Sequence, residues 1–222
     1  MKLQLLKGIR TMFGYDAATS TRRRKAKTPT TKDEDKQLSN ADRRTMIGTT
    51  REQRRNMALC AFMIRKHLDN VSQVTFKPTS GMPEVDEQMS ALYTWWSRAD
   101  RVDVARRHSM HELIRLWEAH RTVDGDVGVL LLRSGALQTI EGDRIAKPSS
   151  FGDAPRDILA VDWRHGVDVG SFGQIRRYCI VDRNDTRLEF NRVVSARNMK
   201  LLGYFDRYAA EDVQARRDRI CD

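Results

Sequence analysis

The stretch that decides the fold is residues 108–145, HSMHELIRLWEAHRTVDGDVGVLLLRSGALQTIEGDRI. Leu113, Leu116, Trp117, His120 and Val123 recur at helical spacing, so His108–Val123 is expected to be a helix with one apolar side. Asp124-Gly125-Asp126 then supplies turn chemistry. Val127–Leu132 is an apolar run that suits a buried strand, and Leu137–Ile140 returns from a turn at Ser134-Gly135. Helix, acidic turn and strand pair in this order predict an α+β fold.

Working outward on the N-terminal side, two more helices are expected. Met57, Ala61, Ile64, Leu68 and Val71 form one stripe over Arg51–Val71. Val85, Met89, Leu92 and Trp96 form another over Glu84–Ala99, with Glu84, Asp86 and Glu87 placed to complement the helix dipole. Of the neighbours Trp95 and Trp96, only one can face the core of a helix. On the C-terminal side, Gly166–Gly170 and Ile175–Val181 predict a second hairpin, the latter strand with one wetter face. Leu188–Leu202 is expected to hold one more strand and a turn, and Tyr204–Ile220 is helical in character. At the other end, Leu3, Leu5, Leu6, Ile9, Met12 and Phe13 fit a short amphipathic helix over Met1–Tyr15.

Charge divides the chain. The net charge of +10 over 222 residues is concentrated at one end: residues 1–55 hold 15 Lys/Arg against 6 Asp/Glu, and the remainder holds 25 against 24. Thr19–Thr50 has almost no large apolar residues, and Ser39 or Asn40 is the first plausible helix cap after the basic cluster. The expected organisation is a basic, flexible arm over residues 1–50 and an α+β body over 51–222. Arg22, Arg23, Arg24, Lys25 and Lys27 are the candidate contacts for nucleic acid or for an acidic partner. No run of about 18 apolar residues suggests a membrane span. Cys60, Cys179 and Cys221 are odd in number and far apart, which predicts neither a zinc site nor a disulfide framework.

Catalytic motifs are missing. The sequence has no GxxxxGK[ST] phosphate loop, no Rossmann glycine fingerprint, no GxSxG elbow and no HExxH. His108 and His111 lack a convincingly spaced third metal ligand. Asp124, Asp126, Glu141 and Asp143 lie near strand ends, where a two-metal nuclease would hold its ions, but they fit turns equally well and no lysine stands beside them. A non-enzymatic chain with no cofactor and no metal is expected.

The order of these features resembles the lambda-like portal family of tailed bacteriophages. Tyr15-Asp16-Ala17-Ala18 before a basic stretch is similar to that family's opening. The arginine-rich helix with Asn56, closing at Asp69-Asn70-Val71, is similar to its first helical segment. Trp95-Trp96 followed by Asp100 and Asp103 resembles its W-to-D segment, without the glycine that often follows there. Leu113–Arg121 with Asp124-Gly125-Asp126 resembles its helix–turn–strand unit. Leu137-Gln138-Thr139-Ile140-Glu141-Gly142-Asp143-Arg144-Ile145 is very like its LQxIExDxI strand, and Gly166-Val167-Asp168, Gly173 and Tyr178 are similar to its hairpin. Phe205–Val213 departs from the family's R-x-x-Q-x-R-G run.

The resemblance implies a structural role. It predicts a wing-like α+β domain in a ring-shaped homo-oligomer at one capsid vertex, assembled in the bacterial host cytoplasm. It implies terminase, capsid or scaffold proteins and head–tail connector proteins as partners, double-stranded DNA passing through the channel, and no membrane. Portal subunits of this kind are about twice as long, with stem, clip and crown elements that would follow Asp222. On that basis the chain is expected to correspond to the N-terminal half of such a subunit, and by itself to be monomeric or to form ill-defined oligomers. The alternative function is a nucleic-acid-binding protein that uses the basic arm.

Overall fold

The computed structural model describes residues 39–152, 154–171, 173–183 and 187–203. The arm cluster from Arg22 to Lys27 and the helices expected over Met1–Tyr15 and Tyr204–Ile220 lie outside these residues. Among those described, helices come first and strands follow. The helices are α1 (Asn40–Asn56), α2 (Ala58–Val71), α3 (Pro83–Trp96), α4 (Ala99–Val102), α5 (Met110–Asp124) and, later, α6 (Arg156–Leu159). The strands are β1 (Asp126–Leu131), β2 (Leu137–Glu141), β3 (Val167–Val169), β4 (Ile175–Arg183), β5 (Leu188–Ser195) and β6 (Met199–Gly203). They form two antiparallel three-stranded sheets, ordered β2-β1-β6 and β3-β4-β5. The expected α+β class is the observed one.

The decisive stretch folds as its pattern dictates. Ser109 and Glu112 close a capping box that starts α5. Leu113, Trp117 and Val123 are buried along one side. Gly125 ends the helix with φ 93°, a backbone region that a side chain disfavours. β1 then runs antiparallel to β2, from Val127 opposite Glu141 to Leu131 opposite Leu137. Val102, Leu113, Trp117, Val127 and Leu137 form one core cluster between the helices and this hairpin. The Trp117 indole N–H donates to Thr139 Oγ1 at 2.8 Å, so a large ring is buried without stranding its polar edge.

The helix expected over Arg51–Val71 is two helices. α1 starts at Asn40, capped by Ser39, and the chain becomes extended at Met57 (φ −106°, ψ 108°) before α2 begins. Both α1 and α2 pack on α5 and on each other. A straight helix over residues 40–71 would run about 48 Å, more than twice the length of α5 at about 22 Å. The break at Met57 folds the second half back. It also leaves Met57 and Val71 exposed, so the stripe narrows to Ala61, Ile64 and a buried Leu68.

α3 also departs from its expected stripe. Met89 and Leu92 are exposed, and no α3 residue is fully buried. The helix stops at Trp96, and a separate turn, α4, follows. Of the two tryptophans, Trp96 turns inward onto the core and donates to Gly135 O at 2.9 Å, while Trp95 faces out under the Arg101 guanidinium, 3.9 Å from its ring centroid.

β4 was expected to have a wetter face, but Tyr178, Cys179, Ile180 and Val181 are all buried. Alternate strand residues serve opposite faces. Tyr178 and Ile180 join Leu130, Ile140, Ile145 and Met199 in one cluster. Cys179 and Val181 join Ala146, Ile158, Trp163 and Leu188 in another. The strand is thus covered on both sides. Leu188–Leu202 holds two strands instead of one, because β6 leaves the second sheet and pairs with β1 in the first.

Candidate functional site: an arginine–carboxylate cluster

The four carboxylates that would serve a two-metal nuclease do converge. Asp124 ends α5, Asp126 opens β1, Glu141 ends β2 and Asp143 lies in the 3-10 turn Gly142–Arg144 that follows. Antiparallel pairing of β1 with β2 brings the two strand ends together. The side chains that meet them are arginines of α1 and β4, joined by His120 of α5.

Arg51 is the centre of the cluster. Its Nε donates to Asp124 Oδ1 at 2.7 Å and its Nη2 donates to Asp124 Oδ2 at 2.8 Å, a bidentate pair. Nη1 donates to Asp143 Oδ2 at 3.0 Å, and Nη2 reaches Glu141 Oε2 at 3.3 Å. His120, one turn before Asp124 on α5, adds Nδ1 at 2.7 Å from Asp124 Oδ2. Arg183 at the end of β4 also donates to Asp143.

Arg43, two turns earlier on α1, holds Asp126. Its Nη2 donates to Asp126 Oδ2 at 2.9 Å and to Gly142 O at 3.1 Å, and its Nη1 donates to Ile145 O at 2.9 Å. Gly142 is required here, since a Cβ at that position would collide with the Asp126 carboxylate. Arg43 and Arg51 are eight residues apart, so both project from one side of α1.

The electrostatics follow from these contacts. Burial would raise the Asp124 carboxyl, whose side chain is 1% exposed, but hydrogen bonds from Arg51 and His120 outweigh it and bring the group down to about 2. Arg51 is held above its ordinary value, first by its hydrogen bond to Asp124. Asp126 moves the other way: burial raises it, and Arg43 offsets only part of that rise. Each carboxylate already has a guanidinium partner, and a divalent cation would have to displace it. Among the described residues no group of three or more His, Cys, Asp or Glu side chains is arranged to hold a metal ion. His108 and His111 do not join His120, which belongs to the Asp124 pair.

Beside the cluster is a cleft of about 620 Å³ whose lining includes Arg44, Arg51, Arg54, Arg55, Asp124 and Asp143. Its walls carry both signs, with the arginines of α1 on one side.

Asp103 is a second organising carboxylate. It is buried and accepts from the backbone N–H groups of Ala105, Arg107 and His108 at 3.1, 3.0 and 3.1 Å. Burial works against its charge, yet these three donors keep its carboxyl below the usual range. Val104 N donates to Leu137 O at 3.0 Å, so the same loop fixes the start of β2. The sequence signal for Asp103 was its place after Trp95-Trp96. No local signal marked Arg43 or Arg51 as the partners of Asp124, Asp126, Glu141 and Asp143, because the contacts span about 70 to 100 residues of chain.

No helix among the described residues is long and apolar enough to cross a membrane. A search of curated proteins finds no match to the chain. The family described as phage portal protein, lambda family, matches residues 20–214, which take in the whole of the arginine–carboxylate cluster and both sheets. The chain belongs to the lambda family of phage portal proteins.

Proposed function

We propose that this chain is a structural subunit of the portal at a capsid vertex, serving DNA packaging and head–tail joining, with no catalytic chemistry of its own. The observation that carries this role is the state of the carboxylates Asp124, Asp126, Glu141 and Asp143. Arg51, Arg43 and Arg183 neutralise them, and they tie α1 to the strand ends as a mechanical clamp. Its partners on this account are further portal subunits, terminase, capsid or scaffold proteins, connector proteins and double-stranded DNA. Assembly takes place in the host cytoplasm. Disrupting the coding sequence in the phage that carries it is expected to yield heads without DNA. Normally filled, infectious particles would contradict the role.

The partition of charge supports a second task for the arm. Residues 1–55 hold nearly all of the excess positive charge. Arg22, Arg23, Arg24, Lys25 and Lys27 supply a phosphate-binding segment on this account.

A further inference from the structure

Two helices carry apolar faces that stay exposed among the described residues. On α2, Leu59, Phe62 and Met63 recur at i, i+3 and i+4 and point away from the buried Leu68. On α3, Met89, Leu92 and Trp95 are exposed at i, i+3 and i+6, with the Arg101 guanidinium resting on the Trp95 ring. All six are between 43% and 66% exposed. α2 at least is anchored: Leu68 is buried, His67 Nε2 lies 2.7 Å from Glu118 Oε1, and Arg115 donates to Asp69 at 2.7 Å. α3 is not. It has 14 residues, none buried, and its internal support is Trp96 together with the Phe76–Tyr93 ring stack at 4.4 Å. A helix of that length is marginal in water without tertiary packing.

The faces differ in charge. Arg65 and Lys66 flank Phe62 and Met63 on α2, and Lys66 lies 5.9 Å from the Phe62 ring centroid. Glu84 and Glu87 open α3 on the turns that lead to Leu92 and Trp95. α3 does not pack along α2 within the chain. We infer that these are the two complementary halves of one subunit–subunit contact, α2 of one copy meeting α3 of the next. Opposite charges at the rims set the register, and the six apolar side chains supply the buried centre. Two different surfaces that fit each other make a head-to-tail contact, the kind that closes into a ring. The inference rests on the portal role for its ring geometry, and it gives that ring a specific contact.

The test is a charge swap in the full chain, read by light scattering over a range of concentrations. The wild-type chain is expected to self-associate. R65E/K66E and E84K/E87K are each expected to raise the concentration for half-association at least about tenfold. Mixing the two variants restores opposite charges at every α2–α3 contact and is expected to recover wild-type association. All four substitutions are on exposed positions, and unchanged melting curves confirm that the fold is kept. A wild-type chain that stays monomeric at about 100 µM, where contacts of even modest affinity are populated, overturns the inference. So does association that either variant leaves unchanged, or that mixing does not recover. The portal role is judged separately by DNA filling of heads, so either can fail alone.

Discussion

Arg51 on α1 donates through Nε and Nη2 to both oxygens of Asp124, 73 residues away at the end of α5, at 2.7 and 2.8 Å. One guanidinium thereby joins the first described helix to the turn that launches the first sheet. It also reaches Asp143 and Glu141, so it decides whether the converging strand ends are mutually repulsive or bound together.

Removing Arg51 is therefore expected to be costly. Arg51→Ala leaves Asp124 and Asp143 charged and buried, and breaking a buried pair from one side costs about 3–5 kcal/mol. Arg51→Lys keeps the charge but loses the fork and should fall between the two. Urea unfolding of the three chains measures this directly. Equal midpoints would show that the cluster does not hold the fold.

Asp124 gives the fold a defined acid limb. Its folded pKa of about 2 lies below the ordinary 3.8, so its contribution is present above about pH 4 and is lost as pH falls toward 2. The shift corresponds to about 2 kcal/mol. Asp126 opposes it, because its raised carboxyl is strained as an anion and relaxes on protonation. Melting temperature against pH should fall steeply from pH 4 to 2 in the wild type. It should fall less steeply in Asp124→Asn, which starts lower at neutral pH. Parallel curves would contradict the assignment.

Gly142 is expected to tolerate no side chain. Gly142→Ala places a methyl group against the Asp126 carboxylate and must open the contact between Arg43, Asp126 and Gly142 O. A loss of about 1–3 kcal/mol is expected, by the usual cost of overpacking. Pairing it with Arg43→Ala should be less than additive, since both changes break the same contact.

Asp126 separates the clamp from a nuclease. Asp126→Ala should lower stability by leaving Arg43 only its backbone acceptors, Gly142 O and Ile145 O, with no cleavage of DNA by wild type or variant in magnesium or manganese. Metal-dependent cleavage that vanishes in Asp126→Ala would replace the structural account with a catalytic one.

The arm is tested by salt. DNA affinity of the full chain should fall with log salt at a slope near −4 to −5 if the five cations from Arg22 to Lys27 each neutralise one phosphate. Replacing these five by Ser should flatten the slope. An unchanged slope would move any DNA contact elsewhere.

How much was legible depended on how local each determinant is. Residues 108–145 carry capping, helical period, a glycine turn and a hairpin within one continuous stretch, and they fold as their pattern predicts. Arg51–Val71 misled because its period is continuous through Met57, while the break there answers the length of α5, a tertiary constraint. Met89 and Leu92 read as core because an apolar stripe looks the same whether its own chain or another covers it. β4 read as half-wet because Arg176 and Arg177 open the strand, while the cover on its second face comes from Ile158 in the four-residue helix α6 and from Trp163 after it, a stretch too short to show periodicity. The carboxylates were visible as a group, but their partners Arg43 and Arg51 were not, since nothing in a helix of exposed arginines marks the two that turn inward.

The most direct test of the structural-subunit account is to locate the chain in particles. Heads from the phage that carries it, with this chain tagged and labelled for electron microscopy, should show label at a single vertex of each DNA-filled head. Label spread over the shell, or filled heads that contain none of the chain, would contradict it.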